Sequence, residues 1–439
     1  MKKKPQEITS DFCAIYKNRL IYAENINSFC LYSEAESYFK ILTAEQFERI
    51  IYMHIFETCP ETKLSVAMTK DIIGQIKYMT GRRVAEVNTP YIALKGGDLI
   101  NLLTLQYEPA DISKEAFYQI PCSQADIIST ETPRFNEFLD QVIVGEDLLP
   151  DKELQILVQE MFGYYLLNTL EAHKVFFLIG EEGANGKSVM LNVIRAMIGK
   201  DFVSSMTIEI LTANRFSSSN LIGKKLNICS EEESKFVKSD KFKAMVSGDD
   251  ITIEWKYGGS ITWTPTVKYI FSTNRMPTFA DYDNAIVRRI SFIPFRRHFK
   301  PAERDTRLID KLIRELPGII RWAIEGARRL IANNFVFSDS KFSEDVLQEF
   351  QVKLSAPVSF VTEHYERDYG DGFVGIENLY EEYKEWCSKR GKKQMNFYSF
   401  AEDLERYYKI KLTSGLLEGK VVKGLKLCLK NQANLSVNF

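Results

Sequence analysis

The chain has 439 residues, 45% of them hydrophobic and 26% charged, with 57 Lys+Arg against 59 Asp+Glu for a formal charge of −2. This composition excludes long disorder, collagen and fibrous coils, and the length suggests about three domains. Near-neutral charge excludes a uniformly basic nucleic-acid coat, and no apolar run reaches the roughly 18–20 residues of a membrane span.

The seven cysteines are scattered with no C-x-x-C pair, and His54, His173, His298 and His364 are equally isolated. Reduced thiols in a cytoplasmic protein are expected, in preference to a zinc site or a disulfide framework. Met1–Lys4 is basic, but polar residues follow, so no signal peptide is read there.

In chain order, residues 1–122 form a mixed region with short helical patterns and candidate strands at 28–32 and 92–94. Turn formers crowd 123–133, which reads as a linker. Residues 134–172 read as a helical lead-in, with Leu154, Leu157, Val158, Met161 and Phe162 on one face. Four apolar strands at 174–179, 225–229, 267–273 and 290–295 then alternate with helical or loop segments. That alternation predicts an α/β domain over 173–335 with a largely parallel sheet. Helical spacing returns at Leu308, Leu312, Ile313, Leu316, Ile319 and Trp322, interrupted at Pro317, and 335–344 reads as a second linker. The last unit, 356–439, shows a helix near 376–386 and then a Lys-rich alternating stretch. Helices followed by a β ribbon suit a winged-helix-like module.

The strongest chemical signal is VFFLIG-EEGANGKS at 175–188, an apolar strand entering a glycine-rich loop that opens a helix. Gly180, Gly183 and Gly186, with Ala184 and Asn185 between them, let backbone amides point at a phosphate. The helix start at Lys187, Ser188 and Val189 adds partial positive charge. Lys187 would reach the β- and γ-phosphates of ATP, and the Ser188 hydroxyl would bind Mg²⁺. Gly180 lies one residue earlier than the G-x-x-x-x-G-K-S spacing requires, with Glu181 in the usual glycine position.

An acidic partner is expected on a neighbouring strand. The strand at 225–229 ends in Ser230-Glu231-Glu232-Glu233. One of these carboxylates would enter the Mg²⁺ shell, Glu231 and Glu232 being the candidates, and another would orient or deprotonate the attacking water. Spacing does not assign the roles. Asn274 follows the strand at 267–273 at its tip, where an amide can bond the γ-phosphate or the water. Arg288 and Arg289 precede the last strand and can neutralise charge in phosphoryl transfer.

GANGKS, SEEE, SGDDITIEWKYGGSITWTPTVKYIFSTNRMP and VRRISFIPF together resemble the superfamily III helicase half of phage and plasmid primase–helicases and their poxvirus-type relatives. PRFNEFLDQVIVGED resembles that family's lead-in and ELPGIIRWAIEGARRL its helical lid. The resemblance implies an AAA+-like P-loop NTPase core working as a hexameric homo-oligomer, with ATP between subunits and a DNA strand in the pore. It makes Gly186, Lys187 and Ser188 Walker A, Glu231–Glu233 Walker B and Asn274 sensor one. Arg289, in preference to Arg288, becomes the finger acting on a neighbour's ATP. Ser247 and Arg275 depart from the family pattern without removing a catalytic group.

Apolar stretches at 251–257 and 261–267 flank Gly258-Gly259-Ser260 and read as a β-hairpin with Lys256 near its tip. In the resembled family this hairpin grips the translocating strand. Lys256 would supply charge, and Trp255 or Tyr257 a stacking surface. Seven basic residues between 406 and 430 face the single acid Glu418, and SKRGKK at 388–393 adds a second cluster, so the C-terminal unit is a candidate duplex-DNA contact. Residues 1–90 lack the acidic pair and histidine motif of a primase, so priming is expected from a separate primase or polymerase. An ATP-dependent replicative helicase of a mobile element is therefore the leading expectation. The alternative is an ATP-switched origin-binding initiator without processive unwinding, and a small-molecule P-loop kinase is the weakest reading.

Overall fold

The computed structural model describes residues 3–84, 89–180, 183–213, 217–232, 239–254, 259–277, 284–367, 373–392, 394–408, 412–414, 420–423 and 425–427. The chain divides into two compact units, one of residues 1–280 with 288–344 and one of residues 281–287 with 345–439.

The first unit opens with helices Pro5–Ile15, Ala44–Thr58 and Val66–Thr80 and two four-stranded sheets. The candidate strands appear as Ser28–Ser33 and Tyr91–Leu94. The expected linker at 123–133 is a correction, because Gln124–Ser129 is helical. Ser123 caps it by accepting from the Asp126 amide, and Ile127 is buried, so the turn former here starts a helix.

Two helices then lead into the central sheet, α1 (Pro133–Val142) and α2 (Lys152–Leu166). The sheet has five parallel strands: β1 (Val175–Ile179), β2 (Val203–Ser204), β3 (Leu226–Cys229), β4 (Lys268–Thr273) and β5 (Ile290–Pro294). Their spatial order is β2-β3-β4-β1-β5, every neighbouring pair parallel. Strands β3, β4 and β5 are buried along their whole length, as expected for strands covered on both faces. Helix α3 (Lys187–Ile198) follows β1 and presents Met190, Leu191, Val193, Ile194, Met197 and Ile198 to the core. Between β3 and β4, strands Ile251–Glu254 and Ser260–Trp263 pair antiparallel as the expected hairpin.

Pro317 sits in the first turn of α4 (Leu316–Ala332), just after helix Leu308–Arg314 ends. A proline there lacks only an amide that the helix would leave unpaired, so the interruption is a boundary. Helices α2 and α4 touch backbone to backbone. A Cβ on Gly326 would lie 2.0 Å from the Gln159 carbonyl oxygen, and one on Gly163 would lie 2.1 Å from the Ala327 nitrogen. Phe135 and Phe162 meet Trp322 edge-on at 5.1 and 5.3 Å beside this contact. Buried Glu160 accepts from the Ser338 amide at 2.7 Å and its hydroxyl at 2.6 Å, anchoring the chain after α4. Two lysines are buried beside the end of α2, Lys225 just before β3 and Lys268 at the start of β4. Lys225 and Lys268 donate to the Leu167 carbonyl at 3.2 and 2.5 Å. Burial lowers the pKa of both, that of Lys268 to about 7.

The second unit contains helices Ala356–His364, Ile376–Arg390 and Phe397–Tyr408. Strand Phe373–Gly375 pairs with Lys420–Lys423, which pairs with Leu412–Ser414, and Tyr365–Arg367 pairs with Leu425–Leu427. Phe360, Tyr383, Trp386 and Phe400 fill its core. The buried Ser355 hydroxyl joins two helices by donating to Asp403 at 3.0 Å. Among the described residues, no helix is long and apolar enough to cross a membrane.

Candidate functional site

The chain leaves β1 at Ile179 and enters α3 at Lys187, with Gly180 and residues 183–186 of the glycine-rich stretch described between them. Gly180 has no room for a side chain, since a Cβ would come within 2.4 Å of Asn185 Nδ2 and 2.6 Å of the Phe295 carbonyl oxygen. Gly186 has φ +96°, which an L side chain resists, and a Cβ there would strike Val142 of α1 at 2.7 Å. Ala184 also lies in the left-handed region, at φ 55°. Gly183, Ala184 and Ser188 are exposed, Val189 is half-buried, and Asn185 and Lys187 are buried.

Lys187 is the centre of the arrangement. Its Nζ donates to the Gly180 carbonyl at 2.7 Å and to Asn274 Oδ1 at 2.9 Å. Burial lowers its pKa, because an ammonium withdrawn from water loses hydration. Asn274 is placed there by register: Thr273, its predecessor, pairs with Ile179, the residue before the loop. Two residues 87 positions apart thus meet at the carboxyl ends of adjacent strands.

The two described glutamates after β3 differ. Glu231 is exposed. Glu232 is buried, its amide donating to the Ser272 carbonyl at 2.8 Å and its carboxylate accepting from the Ile208 amide at 2.8 Å. Glu233 lies outside the described residues, as do Glu181, Trp255, Lys256 and Tyr257. The hairpin is therefore described only up to its strands.

Arg288 and Arg289 are not brought to the loop. They precede β5, whose first residue Ile290 pairs with Val175 at the amino end of β1, whereas Pro294 pairs with Ile179 beside the loop. At 3.3 Å per residue the arginines lie about 16 Å along the sheet from the loop of the same chain. Arg289 donates to the Ser247 hydroxyl through Nε at 2.9 Å and through a terminal nitrogen at 2.6 Å, and Arg288 is exposed.

One side of the loop carries contacts that the sequence reading missed. After β5, the Phe299 amide donates to the Ala184 carbonyl at 3.0 Å, and His298 Nδ1 lies 2.8 Å from the Gly183 carbonyl oxygen. A lone histidine 115 residues from its partner carries no sequence signal; only the pairing of β5 with β1 brings them together.

For a divalent cation, the oxygen donors these residues offer are hard ones, the exposed Ser188 hydroxyl at the start of α3 and the exposed Glu231 carboxylate after β3. Among the described residues no cluster of three or more His, Cys, Asp or Glu could cage a metal. That donor set fits Mg²⁺, which keeps most of its waters and takes one or two protein oxygens beside substrate phosphates.

Comparison with known proteins places these features in context. A family described as of unknown function, DUF5906, matches residues 178–289. A putative helicase of Acanthamoeba polyphaga mimivirus is 29% identical over 170 residues, 37% of this chain and 18% of its own length. The chain thus spans about a fifth of that relative. The A form of the apo C-terminal region of NrS-1 superposes with a TM-score of 0.52 at 11% identity, over 98% of this chain and all of that one. The two share a fold.

Proposed function

We propose that the chain is an ATP-hydrolysing, helicase-related motor that acts on DNA, with an AAA+-like P-loop core. The observation that carries the reading is the lysine after the glycine-rich loop, hydrogen-bonded to an asparagine at the tip of the adjacent strand. The strand order supports it too: numbered along the chain, the sheet reads 5-1-4-3-2, with the loop after β1, the strand between β5 and β4. A relative named as a putative helicase adds the direction of the chemistry.

In this reading the loop amides and the start of α3 hold the phosphates. Lys187 exchanges the Gly180 carbonyl for phosphate oxygens and keeps Asn274 as its guide. Asn274 orients the attacking water, and a glutamate after β3 accepts its proton. Glu231, exposed, is the carboxylate open to the metal shell, and Glu232 fixes the strand end to Ile208. Mg²⁺, when bound by Ser188 and a glutamate, neutralises charge on the phosphates. Catalysis is then positioning and charge stabilisation. Arg289 acts on a neighbouring subunit's nucleotide, because it lies too far from its own loop, and this makes a ring of subunits the working form. Lys256, with Trp255 and Tyr257, contacts DNA at the hairpin tip. The second unit, with its helices followed by an antiparallel ribbon, is a winged-helix-like module for duplex DNA.

The test is ATP turnover by the purified chain. Wild type should hydrolyse ATP with Mg²⁺, and Lys187→Ala should lower turnover at least about 100-fold. Equal turnover in the two proteins would refute the site.

A further inference from the structure

We propose that His298 is a positioning residue that sets the phosphate-binding loop from outside, an inference that rests on the nucleotide reading above. The segment after β5 runs alongside the loop. Phe295 N–H donates to the Ile179 carbonyl at 2.7 Å, His298 Nδ1 lies 2.8 Å from the Gly183 oxygen, and Phe299 N–H donates to the Ala184 oxygen at 3.0 Å. Two consecutive loop carbonyls are therefore drawn to one side by one short segment.

A carbonyl only accepts, so Nδ1 carries the proton in this contact. In a trans peptide the C=O of one residue and the N–H of the next point in opposite directions. Drawing the Gly183 carbonyl toward His298 aims the Ala184 N–H the other way. Drawing the Ala184 carbonyl toward Phe299 does the same for the Asn185 N–H. The segment thus orders two successive amide donors on the far face, where an anion is to be held. Without such an anchor a loop with Gly183 and left-handed Ala184 has many backbone conformations to lose on binding.

The residues beside His298 are engaged elsewhere. Arg296 reaches Glu146 at 3.4 Å and Arg297 reaches Glu303 at 3.7 Å. His298 is exposed, so its replacement leaves the core intact.

The experiment measures ATP affinity and steady-state hydrolysis for wild type, His298→Ala, His298→Asn and His298→Gln, with thermal melting to confirm equal folding. His298→Ala should raise both Kd and KM for ATP about five- to tenfold, the loss of one hydrogen bond, while kcat changes by less than about twofold. Asparagine places an amide N–H near the position of Nδ1 and should restore KM to within about twofold of wild type; glutamine extends past it and should not. Unchanged ATP affinity in His298→Ala, or equal behaviour of the Asn and Gln variants, would overturn the positioning role and leave the nucleotide site standing. A wild-type chain that binds no ATP would instead overturn the nucleotide reading itself.

Discussion

Lys187 shows how a single side chain can be held ready for its work. Its ammonium has left water, and two oxygens, the Gly180 carbonyl and Asn274 Oδ1, replace part of the lost hydration. Both are neutral acceptors, so a triphosphate offers a stronger partner than either. The arginines are the opposite case, since nothing on their own loop lies within reach. Arg289→Ala should lower turnover at least about 100-fold while leaving the ATP Kd within about twofold, read by hydrolysis and titration side by side. If Arg288→Ala has that effect and Arg289→Ala does not, the assignment passes to the exposed neighbour, and the Ser247 bond of Arg289 is structural. At this scale the sequence was legible where chemistry is local. The run of Gly183, Gly186, Lys187 and Ser188 announces itself within six positions, and Asn274 follows from its place at a strand tip. His298 was not legible, because its significance depends on which strand lies next to β1. Nor does spacing separate Glu231 from Glu232; the distinction comes from the Ile208 amide, 24 positions away.

Among elements, the parallel strands were readable for a physical reason. Buried on both faces, they are continuous apolar runs, and those at 174–179, 225–229, 267–273 and 290–295 recur within one residue as β1, β3, β4 and β5. Strand β2, only Val203–Ser204, is too short to leave a pattern. Helix Gln124–Ser129 was hidden because a capping serine looks like a turn. The α2–α4 contact explains two glycines that no motif requires. Gly326→Ala should destabilise the fold by about 1–3 kcal/mol in denaturant unfolding, since its methyl group would overlap the Gln159 carbonyl; stability within 0.5 kcal/mol of wild type, roughly the range of a neutral surface substitution, would show that the helices separate easily. The buried lysines give a pH signature. Lys268 has a pKa of about 7 when folded against an ordinary value of 10.5, so between these values the unfolded chain binds more protons. Stability must therefore rise with pH above about 7, by roughly 1 kcal/mol per pH unit for one such lysine. Lys268→Met should lower the slope of unfolding free energy between pH 7 and 9 by about that amount, the contribution of buried Lys225 remaining; an unaltered slope would assign it to other groups.

At the scale of the molecule, a glycine-rich loop at one end of the sheet and arginines at the other fit the proposed function if subunits meet head to tail, each completing the next one's site. In the proposed function the hairpin between β3 and β4 and the basic C-terminal unit would supply the DNA contacts. A small-molecule kinase would leave both without a role. An origin-binding initiator would use the same ATPase core, and separates from a motor only by what hydrolysis accomplishes. The most direct measurement is ATP hydrolysis by the purified chain with and without single-stranded DNA, run together with displacement of a labelled strand from a forked duplex. Hydrolysis stimulated by DNA and accompanied by strand displacement is the predicted result. Hydrolysis indifferent to DNA, with the fork left intact, would contradict it.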